Sequence, residues 1–188
     1  MMTPTPTGNV PVDIAERCFT LQDGVFLSRV AEQTIRNWRF RGILTTIGDK
    51  DARNGRWHFS LIDLLHLAVM YDLCMSRGLD FGPARADTIA AMVVRAAREN
   101  LAQPRERYRK NLNVICGWEE DGELFAAVTE IRRAGEYSPP VDERDGDEFS
   151  PLRRVILCIP AAAMLSDLII RTEYLQQRNK RAEAPTHV

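Results

Sequence analysis

The sequence is poor in the residues that build metal and disulfide sites. Its four cysteines, Cys18, Cys74, Cys116 and Cys158, are widely separated and form no CxxC pair, and only three histidines are present. Neither residue type has the spacing of zinc ligands, so we expect no bound metal. Scattered cysteines without a disulfide framework are typical of a reducing compartment, and the expected location is the cytoplasm.

Long apolar runs are missing as well. No stretch approaches the roughly 20 consecutive apolar residues that cross a bilayer. The N-terminal sequence MMTPTPTGNVPVD has neither the basic start nor the apolar run of a signal peptide. We therefore expect neither a membrane partner nor a secretory leader.

Catalytic motifs are also absent. The sequence contains no GxSxG, no phosphate-binding loop and no dinucleotide-binding glycine pattern. His58, His66 and His187 have no nucleophile or carboxylate at a motif spacing, and His66 lies among leucines, as packed histidines do. The acidic stretch DERDGDE lacks the ligand spacing of a calcium loop. The sequence predicts a protein that is not an enzyme and has no cofactor.

Charge is unevenly distributed, although the net charge is only −1. Residues 19–110 contain 15 Lys and Arg against 10 Asp and Glu, whereas residues 111–188 contain 9 against 14. A basic half joined to an acidic half indicates a polyanionic partner, such as nucleic acid, for the basic one.

The basic half begins with two short helical patterns. Thr20 and Asp23 have the spacing of a capping box at the start of LQDGVFLSRV. The second pattern covers about residues 31–41 and is followed by Gly42, a residue suited to the position just after a helix.

A hairpin and two longer helices come next. The Asn54-Gly55 pair is a turn signal and predicts a β-hairpin at residues 48–57. Ser60 is the expected N-cap of LIDLLHLAVMYDLCMSRG, whose apolar residues recur at helical spacing, and a fourth helix is expected to begin near Pro83.

This order of elements is that of a winged helix-turn-helix, in which the second helix enters the major groove of DNA. Ile35 and Trp38 are expected on the core side of helix 31–41, with its polar residues facing outward. Gln, Asn and Arg can hydrogen-bond base edges, and cations neutralise phosphates. The expected DNA contacts are Gln33, Arg36, Asn37, Arg39, Phe40 and Arg41 on the helix, and Lys50, Arg53, Asn54 and Arg56 in the wing. The competing interpretation is an ordinary solvated arginine face.

Three stretches, FTLQDGVFLSRVAEQTIRNWRFRGIL, GRWHFSLIDLLHL and SRGLDFGPA, resemble the DNA-binding domain of MerR-type transcription regulators and, more loosely, excisionase-like winged helices. The resemblance implies dimers on operator DNA, with Arg36 on a phosphate and Gln33 facing the bases. The wing reads Gly55-Arg56-Trp57 where the family commonly has Gly-Tyr-Arg, and the family's long dimerisation helix has no counterpart. Effector sensing is therefore not implied.

We predict an α+β chain overall. A mainly α winged helix-turn-helix domain at 18–103 is followed by a small α+β domain at 104–180, with tails at 1–17 and 181–188. The second domain is expected to contain a hairpin from NLNVICGWE and ELFAAVTEIRR, a mobile acidic loop at 134–150, the strand VILCIP buried on both faces, and a final amphipathic helix. The apolar stripe of that helix can pack on its own sheet or on a second protomer.

Three functions fit these patterns. The leading one is a sequence-specific regulator of transcription that binds double-stranded DNA as a homodimer, since two-fold operators favour pairing. The second is a phage-type architectural or packaging protein, such as an excisionase or a small terminase subunit. The third is a protein-interaction adaptor that does not bind DNA. In each, the C-terminal domain is available for assembly or for a protein partner.

Overall fold

The computed structural model describes residues 13–76, 81–101, 112–118, 124–130 and 157–183. Within them the chain is a mixed α+β structure in which helices predominate, which confirms the predicted class. The elements in order are β1 (Phe19–Thr20), α1 (Leu21–Ser28), α2 (Glu32–Phe40), β2 (Asp49–Lys50), β3 (Trp57–Phe59), α3 (Leu61–Tyr71), a π-helical turn (Asp72–Ser76), α4 (Pro83–Leu101), β4 (Leu112–Trp118), β5 (Leu124–Glu130), β6 (Leu157–Ile159) and α5 (Ala161–Glu183). The predicted acidic loop at 134–150 lies outside the described residues.

Helix starts follow the predicted caps. Thr20 accepts a hydrogen bond from the Asp23 backbone while the Asp23 carboxylate accepts one from the Thr20 backbone, and Ser60 and Asp63 repeat this exchange at α3. Helix α1 stops at Ser28, two residues before the predicted end, because Arg29 has a left-handed backbone with φ 65°. That conformation interrupts helical hydrogen bonding and turns the chain toward α2.

The predicted hairpin is confirmed, with β2 antiparallel to β3 and Lys50 opposite Trp57. The sequence did not predict β1, which pairs with the other edge of β3 and completes a three-stranded sheet in the order β1-β3-β2. A strand of two residues is too short to carry an alternating pattern. Residues 13–17 were predicted as part of a tail, yet Ile14 is buried and its carbonyl accepts the amide of Ile62.

Helix α3 is the centre of the core. Every residue from Leu61 to Leu67 is buried, so the helix is covered on all sides rather than along one stripe. Its regular part ends at Tyr71 and continues as the π-helical turn, whereas the sequence pattern predicted one helix to residue 78; residues 77–80 lie outside the described part. Helix α4 begins at Pro83, as predicted.

A second sheet has the strand order β5-β4-β6. Strands β4 and β5 form the predicted antiparallel hairpin, with Val114 opposite Val128. The prediction that VILCIP is buried on both faces is wrong: β6 pairs only with β4 among the described strands, and Cys158 is exposed between buried Leu157 and Ile159. This alternation is the pattern of a strand with a single core face.

Helix α5 packs its apolar stripe on its own chain. Leu165, Leu168, Ile169 and Leu175 are buried, and the helix contacts α1, α3 and α4 as well as β4. The Arg171 guanidinium donates a 3.1 Å hydrogen bond to the carbonyl of Leu27 at the end of α1. One hydrophobic core therefore runs across the predicted boundary between the two domains.

Candidate nucleic-acid interface

Helix α2 has a buried side and an exposed side. Ile35 and Trp38 are buried against the core, as predicted, and hold the helix in place. The opposite side, here called the outer face of α2, consists of five exposed residues. They are Gln33, Arg36, Asn37, Phe40 and Arg41. The turn after the helix leaves this face uncovered, because Gly42 has φ 70° and reverses the chain toward buried Leu44.

Two pairs of side chains are preformed on α2. Gln33 Nε2 donates a 3.0 Å hydrogen bond to Asn37 Oδ1. Arg36 donates from Nε and Nη2 to Glu32 Oε1, at 2.8 and 2.6 Å. Arg36 is 60% and Glu32 46% exposed, and such a surface ion pair contributes at most about 1 kcal/mol. Arg36 can therefore exchange its carboxylate partner for a phosphate at little cost.

Arg39 faces inward, unlike the arginines on either side of it. Its guanidinium lies 3.4 Å from the centre of the Trp57 ring and donates to the carbonyl of Ile47. Burial lowers the pKa of Arg39 to about 10, and the carboxylate of Asp63 opposes that shift. Through these two contacts Arg39 joins α2 to the hairpin. Of the predicted DNA contacts, Arg39 is half-buried, whereas the other nine are exposed.

The hairpin presents a cationic tip. Lys50, Arg53 and Arg56 are exposed and carry its positive charge. The tip is closed by backbone hydrogen bonds from Gly55 to Asp51 and from Asp51 to Arg56, both 2.8 Å long. These bonds fix the turn, so the three cations extend from a defined backbone.

Asn54 has a structural task within this turn. Its Oδ1 accepts a 2.8 Å hydrogen bond from the amide of Arg56, and the carboxylate of Asp51 accepts one from Arg53 in the same way. Such side-chain bonds to backbone two residues later are what favour Asn and Asp in turns. Asn54 is exposed, and its amide nitrogen and the second lone pair of Oδ1 are not used by this bond.

Residues outside the predicted set support the hairpin. Arg17 forms ion pairs with Asp49 at 3.1 Å and with Asp63 at 3.5 Å, and so links β2 to the start of α3. Asp63 is already occupied by the capping box at Ser60, so one buried carboxylate serves both contacts. A basic residue in a predicted tail gives no sequence signal for this role.

The positive charge is concentrated on this side of the chain. From residue 32 to 56 there are six Lys and Arg against three Asp and Glu. Glu32 is paired with Arg36, and Asp49 is paired with Arg17. Five of the six cations are exposed, all except Arg39, and Arg36 is the one of these five that is paired with Glu32. The five are Arg36, Arg41, Lys50, Arg53 and Arg56.

His66 packs in the core and is not part of the exposed basic surface. His66 is 3% exposed, and its Nε2 lies 2.8 Å from an oxygen of Asp87, so the prediction of a packed histidine is confirmed. A groove of about 540 Å³ beside it is lined by Ile62, Asp63 and Val94, and its buried polar groups are already paired. No group of metal-binding side chains occurs in the described ranges.

Hydrophobic helices of membrane-spanning length are likewise not found among the residues that the structure describes. No protein-family model and no curated protein matches this chain, so the function argued below rests on its own residues.

Proposed function

We propose that this chain is a sequence-specific transcription regulator that binds double-stranded DNA through a winged helix-turn-helix. In this proposal α1 and α2 are the helix-turn-helix, α2 lies in the major groove, and the β2–β3 hairpin is the wing on the adjacent backbone. The order of elements, α1, α2, hairpin and α3, supports it.

One observation carries the proposal: the outer face of α2 and the hairpin tip are exposed together and fixed relative to each other. Arg39 makes this link, because it reaches from α2 to Trp57 in β3 and to the carbonyl of Ile47 before β2. A rigid scaffold for both surfaces reduces the ordering cost of binding. The outer face of α2 can then contact the major groove while the hairpin tip contacts the DNA backbone, without a rearrangement between the two surfaces.

The Gln33–Asn37 pair suits recognition of adenine. The hydrogen bond between them uses one donor of Gln33 and the acceptor of Asn37. The remaining Gln33 Oε1 acceptor and Asn37 Nδ2 donor complement the N6 donor and N7 acceptor that adenine presents in the major groove. Because the pair is formed before binding, little side-chain entropy is lost when it meets a base.

The five exposed cations suit the DNA backbone. Arg36 and Arg41 belong to the outer face of α2, and Lys50, Arg53 and Arg56 lie in the hairpin. Each contact between a cation and a phosphate releases bound counterions, which gives affinity that falls with salt. This division of labour, in which phosphates position the protein and bases select the site, is general among DNA-binding proteins.

Two copies are part of the proposal, since a helix of nine residues spans few base pairs. A homodimer would double the site and favour operators with two half-sites. The acidic C-terminal half is then the region for assembly or for a protein partner.

The decisive experiment is binding to a random-sequence 30-base-pair duplex, measured by fluorescence anisotropy as salt is raised. With five cations on phosphates, log K is expected to fall with log salt at a slope of about −4.5 per protomer. Binding that is absent at low salt would reject the proposal and leave the adaptor interpretation. A reporter gene carrying a selected site then separates regulation of transcription from an architectural or packaging role, which would leave expression unchanged.

A further inference from the structure

Phe40 is the most exposed large apolar side chain in the described part of the chain. It is 93% exposed, whereas Phe26, Met75, Ile170 and Tyr174 range from 41% to 61%. Isolated apolar residues on a surface are common and need no special account. The position of Phe40 is what makes it informative.

Phe40 lies in the middle of the outer face of α2. At about 100° per residue, its direction from the helix axis falls between those of Arg36 and Asn37 and close to that of Gln33. The buried residues Ile35 and Trp38 point to the other side. A phenyl ring therefore sits where the proposed groove contacts are, and is surrounded by side chains that hydrogen-bond.

These surroundings disfavour a protein partner at Phe40. Protein interfaces have a contiguous apolar centre with a polar rim. The exposed neighbours of Phe40 on α2 are instead cationic or amide side chains, Arg36, Asn37 and Arg41. The other exposed large apolar residues of the described chain lie on α1, the π-helical turn and α5, and the ring of Phe26 on α1 lies 6.0 Å from the guanidinium carbon of Arg178 on α5.

Phosphates do not account for the ring either, because an aromatic face gains nothing from an oxyanion. On the base edges of the major groove, one apolar group is available: the C5-methyl of thymine. Contact with that methyl buries apolar area on both partners. It discriminates thymine from cytosine at the same position.

We infer that Phe40 is a specificity-determining residue that packs on a thymine C5-methyl group in the bound DNA. The inference rests on the proposed function and adds the base that Phe40 selects. Phe40 follows Asn37 by three residues, a rise of about 4.5 Å along the helix. The thymine therefore lies within one or two base pairs of the base that the Gln33–Asn37 pair contacts.

The test begins with selection of binding sites from a random 20-base-pair duplex library, using the full-length protein and its Phe40→Ala variant. The selected wild-type sites are expected to contain thymine at one position that becomes unrestricted in the variant. Because Phe40 is exposed, the variant is expected to fold normally, which circular dichroism and urea unfolding check. Asn37→Ala is the matched control and is expected to relax a different position.

The selected duplex is then resynthesised with deoxyuridine at that position, which removes only the methyl group. Wild-type affinity is expected to fall about fourfold, the value of one buried methyl, and the affinity of Phe40→Ala is expected to stay the same. Deoxyuridine at a thymine elsewhere in the site should have no effect on either protein.

The outcomes separate this inference from the proposed function. If no duplex is enriched and none binds at low salt, both are overturned. If duplexes are enriched but deoxyuridine leaves wild-type affinity unchanged, the thymine contact is overturned and the DNA-binding proposal stands. If Phe40→Ala weakens every sequence equally without relaxing any position, the ring is a general contact and the inference is again overturned.

Discussion

Arg39 lies over Trp57, with its guanidinium carbon 3.4 Å from the ring centre, and thereby joins the last turn of α2 to β3. The ring centre of Phe59 lies 5.6 Å from the same carbon, and the Nε of Arg39 is buried without a hydrogen-bond acceptor in the described part of the chain. The arginine is therefore held mainly by stacking and by its bond to the Ile47 carbonyl. Arg39 thus adds a direct link between α2 and the hairpin to the core anchors Ile35 and Trp38.

The first prediction follows from that dependence. Arg39→Lys keeps the charge but loses the planar stack, and it is expected to lower the free energy of unfolding by about 1 kcal/mol. Arg36→Lys, in an exposed pair on the same helix, is expected to change it by less than about 0.5 kcal/mol. Urea unfolding of the two variants measures both values. Equal losses of unfolding free energy in the two variants would contradict a structural role of Arg39 between α2 and the hairpin.

The second prediction concerns pH. With a folded-state pKa of about 10, Arg39 is protonated in the folded and unfolded states at neutral pH. The stability difference between the wild type and Arg39→Met is therefore expected to be constant from about pH 6 to pH 9. Above about pH 10 the unfolded chain, in which burial no longer lowers the pKa of Arg39, holds the proton more tightly, so the wild type gains stability relative to the variant as pH rises. Urea unfolding at several pH values measures this difference. If the difference changes with pH near neutrality, the prediction is wrong.

The third prediction compares two arginines in similar pairs. Arg36 on α2 is paired with Glu32, and Arg95 on α4 is paired with Glu99 at 3.1 Å, both at a spacing of four residues. Arg36→Ala is expected to weaken binding to all DNA sequences and to reduce the salt slope by about 0.9 per protomer. Arg95→Ala is the matched control and should leave both unchanged. If both variants lose affinity alike, the effect is one of net charge and not of a contact.

The fourth prediction concerns base selection. Gln33→Ala or Asn37→Ala removes half of the preformed pair, and each is expected to reduce discrimination by about 1–3 kcal/mol at one base pair. Binding to random DNA should change little, because no phosphate contact is lost. Competition between a selected duplex and single-base variants measures the discrimination. If both variants keep the base preference of the wild type, the proposal that α2 lies in the major groove is wrong.

The fifth prediction uses two glycines with nearly the same backbone. Gly42 has φ 70° and open space around an added Cβ, whereas a Cβ on Gly48, at φ 69°, would lie 2.9 Å from a ring carbon of Phe59 and 3.0 Å from the His58 carbonyl. Gly42→Ala is expected to cost about 1 kcal/mol, the usual penalty of that conformation. Gly48→Ala should cost more, since the backbone must also move.

Thermal unfolding compares these two glycine variants. If both variants lose the same thermal stability, the structure accommodates a Cβ at Gly48 without further loss, and the predicted difference is wrong.

Local signals in the sequence predicted much of this structure. The capping boxes at Thr20 and Ser60 depend on residues three positions apart, and the hairpin turn depends on the neighbours Asn54 and Gly55. Ile35 and Trp38 were predicted as the buried anchors of α2 because one helical period relates them. In each case the deciding interactions lie within a few residues of one another.

The features that the sequence did not reveal depend on distant residues. Arg39 had the same local appearance as Arg36 and Arg41, and its inward orientation depends on Trp57, which lies across the hairpin. The edge position of β6 depends on pairing with β4, more than forty residues earlier in the chain. Hydrophobic periodicity is read over roughly 11–18 residues, so it carries no information about residues so far apart in the sequence.

The bond from Arg171 to Leu27 spans 144 residues, and it has a consequence for biosynthesis. Helix α5 covers α1, α3 and α4, so the amino-terminal helices emerge from the ribosome long before the element that shields their apolar sides. The 144 residues between Leu27 and Arg171 take roughly 7–29 seconds to translate at about 5–20 residues per second, and for that time Leu27 and its neighbours lack the cover of α5. Until α5 has been made, the apolar sides of α1, α3 and α4 that it covers stay open to other apolar surfaces, so the core that begins with the first helix is completed by an element translated much later.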